Sequence, residues 1–440
     1  MKKVIKMALP ILVGLLASIP IYNILVLEII SVISAMLAPS LLLRSFDAKV
    51  AGVGVLYLGS LALFISSLLN HTPLDSLLKG VLALILFILT LTFLVQLFNA
   101  HELWLALLSY YLFSSFFALA LNSAPSNVDL QSSFKFGYSG LLIFLLLSLP
   151  LLRKNLLSLR PSRSFYTNTS SSFFVLLVSL VIAFLALWGN LRLLIYCNIL
   201  AVLTWAYKGF NPIARSPLSK KFNDSKLLLS IAIPFFLVVS SILITAIVRL
   251  SLEILSAINF VSDNALTKSI EQSTGALGIL FGGRVEIFAS LLAWHDKPIF
   301  GWGAWPLDPN GFYSLGGFQI MHNLGYRFTE LAFLVDNVIN GVALPWIPTH
   351  SFLYQSLVWS GIVGFIPTYW FFCQIVSRFL TRTTRQTPFL IHYLNATAIW
   401  SILFSPFGWP NRINLAMILA FTLSYLSAAI PTGKSLNQSV

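Results

Sequence analysis

An all-α, polytopic membrane helix bundle is the fold class this sequence predicts, and three observations predict it. Hydrophobic residues make up 58% of the chain and charged residues 9%, with a mean hydropathy of +0.87; a soluble domain carries roughly 25% charged residues. Apolar runs near the roughly 20 residues needed to cross a bilayer recur along the 440 positions. Basic residues gather between those runs on alternate sides, which is how membrane orientation is written. No low-complexity tract, internal repeat or soluble domain divides the chain. The expectation is one transmembrane domain over 1–440, with 249–349 as a large periplasmic loop within it.

Taken in order, the first run, at about 8–22, follows Lys2, Lys3 and Lys6. It resembles a signal peptide, but no A-x-A-like site follows and Pro20 interrupts it, so a retained first span is expected. Further runs fall at about 24–43, 50–69, 77–98, 103–121, 137–152, 172–188, 191–207 and 227–248. After the long loop come 350–376, 388–404 and 413–430, making about twelve spans. With Lys2 inside, 18 of the 27 basic residues, among them Arg160, Lys220 and Arg382, fall on the cytoplasmic side, leaving 9 outside. That partition places both termini in the cytoplasm. The net charge of +13 is then an orientation signal facing anionic lipid, and a nucleic-acid partner is not expected. Cys197 and Cys373 lie inside apolar runs and read as packing, with no disulfide or metal framework.

The loop carries the unusual chemistry. Arg284 follows Gly282-Gly283 and opens VEIFASLLAW, where Phe288, Leu291, Leu292 and Trp294 recur at helical spacing. The segment is too short to span, and Asp296 and Pro298 end it, so a short amphipathic helix on the outer membrane surface is expected. Arg284 suits either a lipid-phosphate anchor or a substrate phosphate, for which a guanidinium offers a fixed fork of donors. Arg192 sits in the tight turn Trp188–Arg192 between two spans, as a helix-end residue or a second phosphate ligand. His350 closes the loop at the mouth of a span, and an imidazole there can take a proton near neutral pH. His322, Arg412 and Arg249 are the reserve candidates. Aromatic residues crowd the loop, among them Trp302, Trp305, Tyr313 and Trp346. They fit an interfacial belt or a surface for sugar rings equally well. Glu28 is the one carboxylate inside an apolar run. A polysaccharide transporter or lipid-linked-sugar flippase, the rival class, would carry more such charges.

These residues resemble the signature of the O-antigen ligase and O-antigen polymerase superfamily. The similar features are Arg284 opening a short helix, the turn Pro298-Ile299-Phe300-Gly301-Trp302-Gly303, then His350 and the step Gly361-Ile362-Val363-Gly364. Asn190-Leu191-Arg192 is similar to the family's Ser-Arg pair, without the serine. Ser351 stands where asparagine is common, and Trp359-Ser360 replaces an often acidic position. The resemblance covers roughly residues 170–425. It implies a metal-independent, inverting glycosyltransferase of the bacterial inner membrane that needs no cofactor. The donor it implies is a glycan on undecaprenyl diphosphate at the periplasmic leaflet. The acceptor is a second lipid-linked glycan or the lipid A core, with polymerase slightly favoured over ligase. Membrane lipids surround it, and a chain-length regulator is a further partner. In this reading His350 is the base, and Arg284 and Arg192 bind the diphosphate.

Overall fold

Leucine- and phenylalanine-rich runs with no continuous polar face form helices that bury one another. The computed structural model describes residues 2–21, 27–121, 139–157, 172–188, 192–210, short pieces within 238–282, then 284–308, 310–327, 346–384, 387–408 and 411–428. Among these the protein is helical, apart from a two-residue antiparallel ladder, Pro20–Ile21 (β1) with Leu27–Glu28 (β2), and one isolated bridge, Leu307 with Trp346. The helices are α1 (Lys2–Ser18), α2 (Ile29–Met36), α3 (Ala38–Leu41), α4 (Leu56–Leu69), α5 (Leu74–Leu97), α6 (Ala100–Leu121) and α7 (Ser139–Leu157). They continue with α8 (Ser172–Trp188), α9 (Arg192–Phe210), α10 (Val285–Asp296), α11 (Phe312–Asn323), α12 (Phe352–Arg382), α13 (Phe389–Phe404) and α14 (Asn411–Ala428). Two of them, α5 and α12, are long and apolar enough to cross a membrane.

Helices α12 to α14 form the centre, with α4 and α5 against them and α1 against α6. Phe87 of α5 shows how they lock. Its ring meets those of Phe352, Phe371 and Phe407 edge-on at 6.3, 6.2 and 5.3 Å. Helix α13 is buried along almost its whole length, which suits a helix that is hydrophobic all round. Cys197 and Cys373 are free and buried, as packing residues are.

Two expected spans take another form. In place of one helix over 24–43 there are the eight-residue α2 and the four-residue α3. Eight residues rise about 12 Å, well short of a hydrocarbon core of about 30 Å. Pro39 is the cause: it has no amide hydrogen for the helical ladder, and its ring crowds the preceding turn. Three 3₁₀ turns follow, Leu43–Phe46, Ala48–Val50 and Val53–Val55, and they delay α4 to Leu56. The run expected at 227–248 is described only in fragments.

The feature that positions the segment ahead of α12 is a break in α12 itself. At Gly361 the backbone turns to φ 60, ψ −159, and the helical ladder is interrupted. The Pro298–Gly303 turn fills the gap. Trp302 N donates to Val358 O at 2.8 Å and Gly303 N to Trp359 O at 2.9 Å, while Ile362 N donates to Pro298 O at 2.9 Å and Val363 N to Ile299 O at 3.3 Å. Backbone groups that a broken helix leaves bare are thus satisfied by a loop. The glycines are needed for contact as well as conformation. A Cβ on Gly361 would fall on Ile299 O, and one on Gly301 (φ +69) would lie 2.5 Å from Val358 O and 2.6 Å from Gly361 N. The last turn of α4 secures the joint, with Ser66 Oγ donating to Trp359 O at 2.7 Å and Asn70 Nδ2 to Gly301 O at 3.1 Å.

Candidate active site

Arg284 immediately precedes α10, and its side chain reaches the end of α13. Nη1 donates to Phe404 O at 3.1 Å. That carbonyl belongs to the last residue of α13, where the helix dipole presents negative charge to a cation. The guanidinium carbon lies 5.6 Å from the Trp400 ring centroid and 5.8 Å from that of Phe404, close enough for cation–π attraction. Tyr196 of α9 stacks on Trp400, with centroids 5.1 Å apart and planes at 19°. Burial lowers the pKa of Arg284, and the charges of Glu286 and Tyr196 push it back up. A guanidinium stays charged in such surroundings. One N–H is committed to Phe404, and among the described residues no carboxylate pairs with the guanidinium, whose five donors can also meet an anion.

His350 stands at the N-terminal mouth of α12. The segment that carries it is tied on both sides. Ser290 Oγ of α10 donates to Pro348 O at 3.3 Å, and Ser351 Oγ donates to Ile402 O at 3.3 Å. Ser351 also caps α12, its Oγ accepting from Tyr354 N at 3.2 Å. A serine in place of asparagine therefore has a structural use here. The His350 ring pairs with Glu286 in the first turn of α10, Nδ1 to Oε1 at 3.1 Å, with the histidine side chain 53% exposed and the carboxylate 20%. The hydrogen bond that His350 donates to Glu286, together with the carboxylate's charge, raises the pKa of His350, outweighing burial and the charge of Arg284. Burial pushes Glu286 up, but the hydrogen bond and charge of His350, its own backbone N–H and Arg284 together hold it below the ordinary carboxylate value.

Arg284, Glu286 and His350 therefore form one cluster at the junction of α10, α12 and α13. Arg412 is buried in the first turn of α14, its backbone N–H bonded to Gly408 O at 2.9 Å, so it stands across the short α13–α14 connection from Phe404. Arg192 opens α9; its side chain lies outside the described residues. It precedes Tyr196 by one turn, about 6 Å along the axis, which brings the start of α9 near the aromatic cage. Arg249 stands apart in an exposed i,i+4 pair with Glu253 at 3.9 Å. His322 is exposed in the last turn of α11. The short helix expected after Arg284 is α10, and of its expected stripe Phe288 is buried while Leu291 stays on the surface. Ile287, Phe288, Ala289, Ser290 and Ala293 are buried against α11 and α12, while Leu291 is 38% exposed.

Glu286 is the residue that sequence reasoning missed. Its partner lies 64 positions on, so only its place two residues after Arg284 could have marked it. Near the cluster, Trp305 (43% exposed, φ 54) and Trp346 (37% exposed) meet edge-on at 6.4 Å. Ile347 N donates to Pro306 O at 2.9 Å, which ties the chain leading to His350 to the loop carrying Trp305. No protein-family model, curated protein or solved structure matches the chain.

Proposed function

We propose that this chain is a membrane-embedded, metal-independent glycosyltransferase that moves a glycan from undecaprenyl diphosphate to a glycan hydroxyl. The observation that carries the reading is the convergence of Arg284 and His350. The residues expected from sequence to hold the leaving group and to take the proton lie on one cluster, joined through Glu286. In this reading about twelve spans place 249–349 and the mouth of α12 on the periplasmic side of the bacterial inner membrane. The donor's prenyl tail stays in lipid and its diphosphate rests at the outer ends of the helices.

The chemistry is a displacement at the anomeric carbon. An acceptor hydroxyl attacks from the face opposite the diphosphate, its proton passes to His350, and the bond from the anomeric carbon to the diphosphate oxygen breaks. The configuration inverts. Arg284, with Arg192 as the second phosphate ligand expected from sequence, offsets the charge that gathers on the departing diphosphate, the electrostatic contribution that is worth most where water is excluded. The guanidinium suits this because the rings of Trp400 and Phe404 and the Phe404 carbonyl hold it in place. Trp305 and Trp346 offer exposed ring faces on which sugars of donor or acceptor stack. A second lipid-linked glycan is the acceptor we favour, which makes the protein a polymerase; attachment to lipid A core is the ligase form of the same reaction.

The test is transfer from a synthetic undecaprenyl-diphosphate oligosaccharide in nanodiscs. Wild type is expected to lengthen the glycan, and His350→Ala to leave it unchanged while still binding donor. Absence of transfer to either a lipid-linked glycan or a lipid A core acceptor would count against the reading. Surface-glycan gels of a deletion strain separate its two forms. Single repeats without ladders mark the polymerase, and free lipid-linked polymer with bare core marks the ligase.

A further inference from the structure

We infer that Glu286 is a positioning residue for His350: by accepting the Nδ1 proton on Oε1 it leaves Nε2 as the nitrogen that takes the acceptor's proton. The inference rests on the transferase reading for its catalytic meaning and on the geometry for the pairing itself. A neutral imidazole carries one proton, and a hydrogen bond to one nitrogen decides which carries it. Here the 3.1 Å contact is between Nδ1 and a carboxylate, an acceptor that cannot donate when ionised. The proton therefore stays on Nδ1 and the lone pair on Nε2. With its side chain 53% exposed, the ring can present Nε2 to a substrate while Nδ1 faces the protein.

The surroundings favour an ionised Glu286. It lies in the first turn of α10, where the helix dipole favours a carboxylate. Arg284 adds a positive charge two residues away. Glu286 Oε2 is buried with no hydrogen-bond partner among the described residues. A buried carboxylate so placed gains most when its histidine partner becomes positive, and that is the moment at which His350 has taken the hydroxyl proton. Glu286 thus orients the ring before the step and offsets the imidazolium after it. The proton then leaves to water from the exposed edge of the ring, and the base is restored. The groups that act on His350 are Glu286 and Arg284, both at the start of α10. Tyr196 of α9 lies behind Arg284, and Tyr354 follows in the first turn of α12. The last turn of α13, which receives Ser351 and Phe352, brings Trp400 and Phe404, and neither of these titrates.

The experiment uses the full chain in nanodiscs and reads His350 twice. Diethyl pyrocarbonate labels only neutral imidazole, so the pH midpoint of His350 labelling, followed by peptide mass spectrometry, reports the ring without any substrate. Glu286→Gln, which keeps the shape and removes the charge, is expected to move that midpoint to lower pH. Glu286→Asp is expected to keep part of the wild-type value. In the transfer assay Glu286→Gln should lower the plateau of kcat, within the roughly 10²–10⁴-fold that a general base contributes. The acid limb of the pH–rate profile should move to lower pH in step with the labelling midpoint, with KM for the donor little changed. An equal labelling midpoint in all three proteins overturns the pairing, whatever the activity. A lost plateau with an unmoved acid limb overturns the positioning role and leaves Glu286 a structural residue. If the midpoint moves but wild type transfers nothing, the transferase reading fails while the pairing is upheld.

Discussion

At the scale of single residues the cluster sets a held cation, Arg284, beside a half-exposed imidazole, His350. Arg284 bonds Phe404 O and is flanked by two rings, which uses the planar fork and not charge alone. Arg284→Lys keeps the charge but cannot hold the Phe404 carbonyl and a diphosphate together. A hydrogen bond to a charged group is worth about 1.5–3 kcal/mol, so at least about a tenfold loss of transfer is expected, with insertion unchanged. Wild-type donor binding and rate in that variant would reduce Arg284 to an anchor. His350→Ala is expected to lose about 10²–10⁴-fold, whereas His322→Ala, exposed on α11, should stay near wild type. The pair of Glu286 and His350 also predicts a pH signature in stability. A histidine with a raised pKa contributes fully below its ordinary 6.5 and loses the contribution as pH climbs through the raised value. A carboxylate with a lowered pKa contributes above its ordinary 4.5 and loses the contribution as pH falls through the lowered value. The difference in melting temperature between wild type and Glu286→Gln should therefore be largest between those two values. The free energy behind that difference should be small, under about 1 kcal/mol, because the ring is half in solvent. Equal differences at all pH values would be the contrary result. Sequence alone put Arg284 and His350 forward because a charge at the end of an apolar run needs a reason. It passed over Glu286 because the reason for that carboxylate is a residue far along the chain.

At the scale of elements the interrupted α12 and the turn that mends it are one unit. Gly361→Ala is expected to destabilise the protein by more than the roughly 1–3 kcal/mol of a strained backbone, since the added methyl also falls on Ile299 O. Gly408→Ala meets nothing within 4 Å and serves as the control, with a change inside about 0.5 kcal/mol. Thermal unfolding in detergent measures both, and equal melting temperatures would remove the turn from the account. Both halves of this joint were visible in the sequence as separate glycine patterns, 58 positions apart from Gly303 to Gly361. That they bind each other was not, because backbone pairing across such a distance leaves no periodicity. The long apolar helices were legible for the opposite reason: α5, α6, α8 and α13 need only length and composition. The run at 24–43 misled because hydropathy does not register the missing amide hydrogen of Pro39.

At the scale of the whole molecule the proposed function requires the cluster of Arg284, Glu286 and His350 to face the periplasm. The 18-to-9 partition of basic residues sets the expectation. An alkaline-phosphatase fusion at Asn310 should be active and one at Lys220 inactive, with the reverse pattern for a cytoplasmic reporter. Activity of the periplasmic reporter at Lys220 would move the cluster to the wrong side for a flipped donor. Lys220 lies outside the described residues, so that test rests on sequence, whereas Asn310 stands just before α11.

The mended break also sets a timetable for biosynthesis. Pro298–Gly303 leaves the ribosome before Val358–Val363 does, so the patch exists before the gap it fills. If α12 crosses a bilayer as proposed, its bare carbonyls at Val358 and Trp359 find N–H groups of the turn rather than lipid. A chain in which 298–303 is cut out would have to insert that helix with bare polar backbone, and its nascent form should stall at the translocon or be handed to proteolysis, while a chain that merely lacks the His350 ring should mature at the wild-type rate.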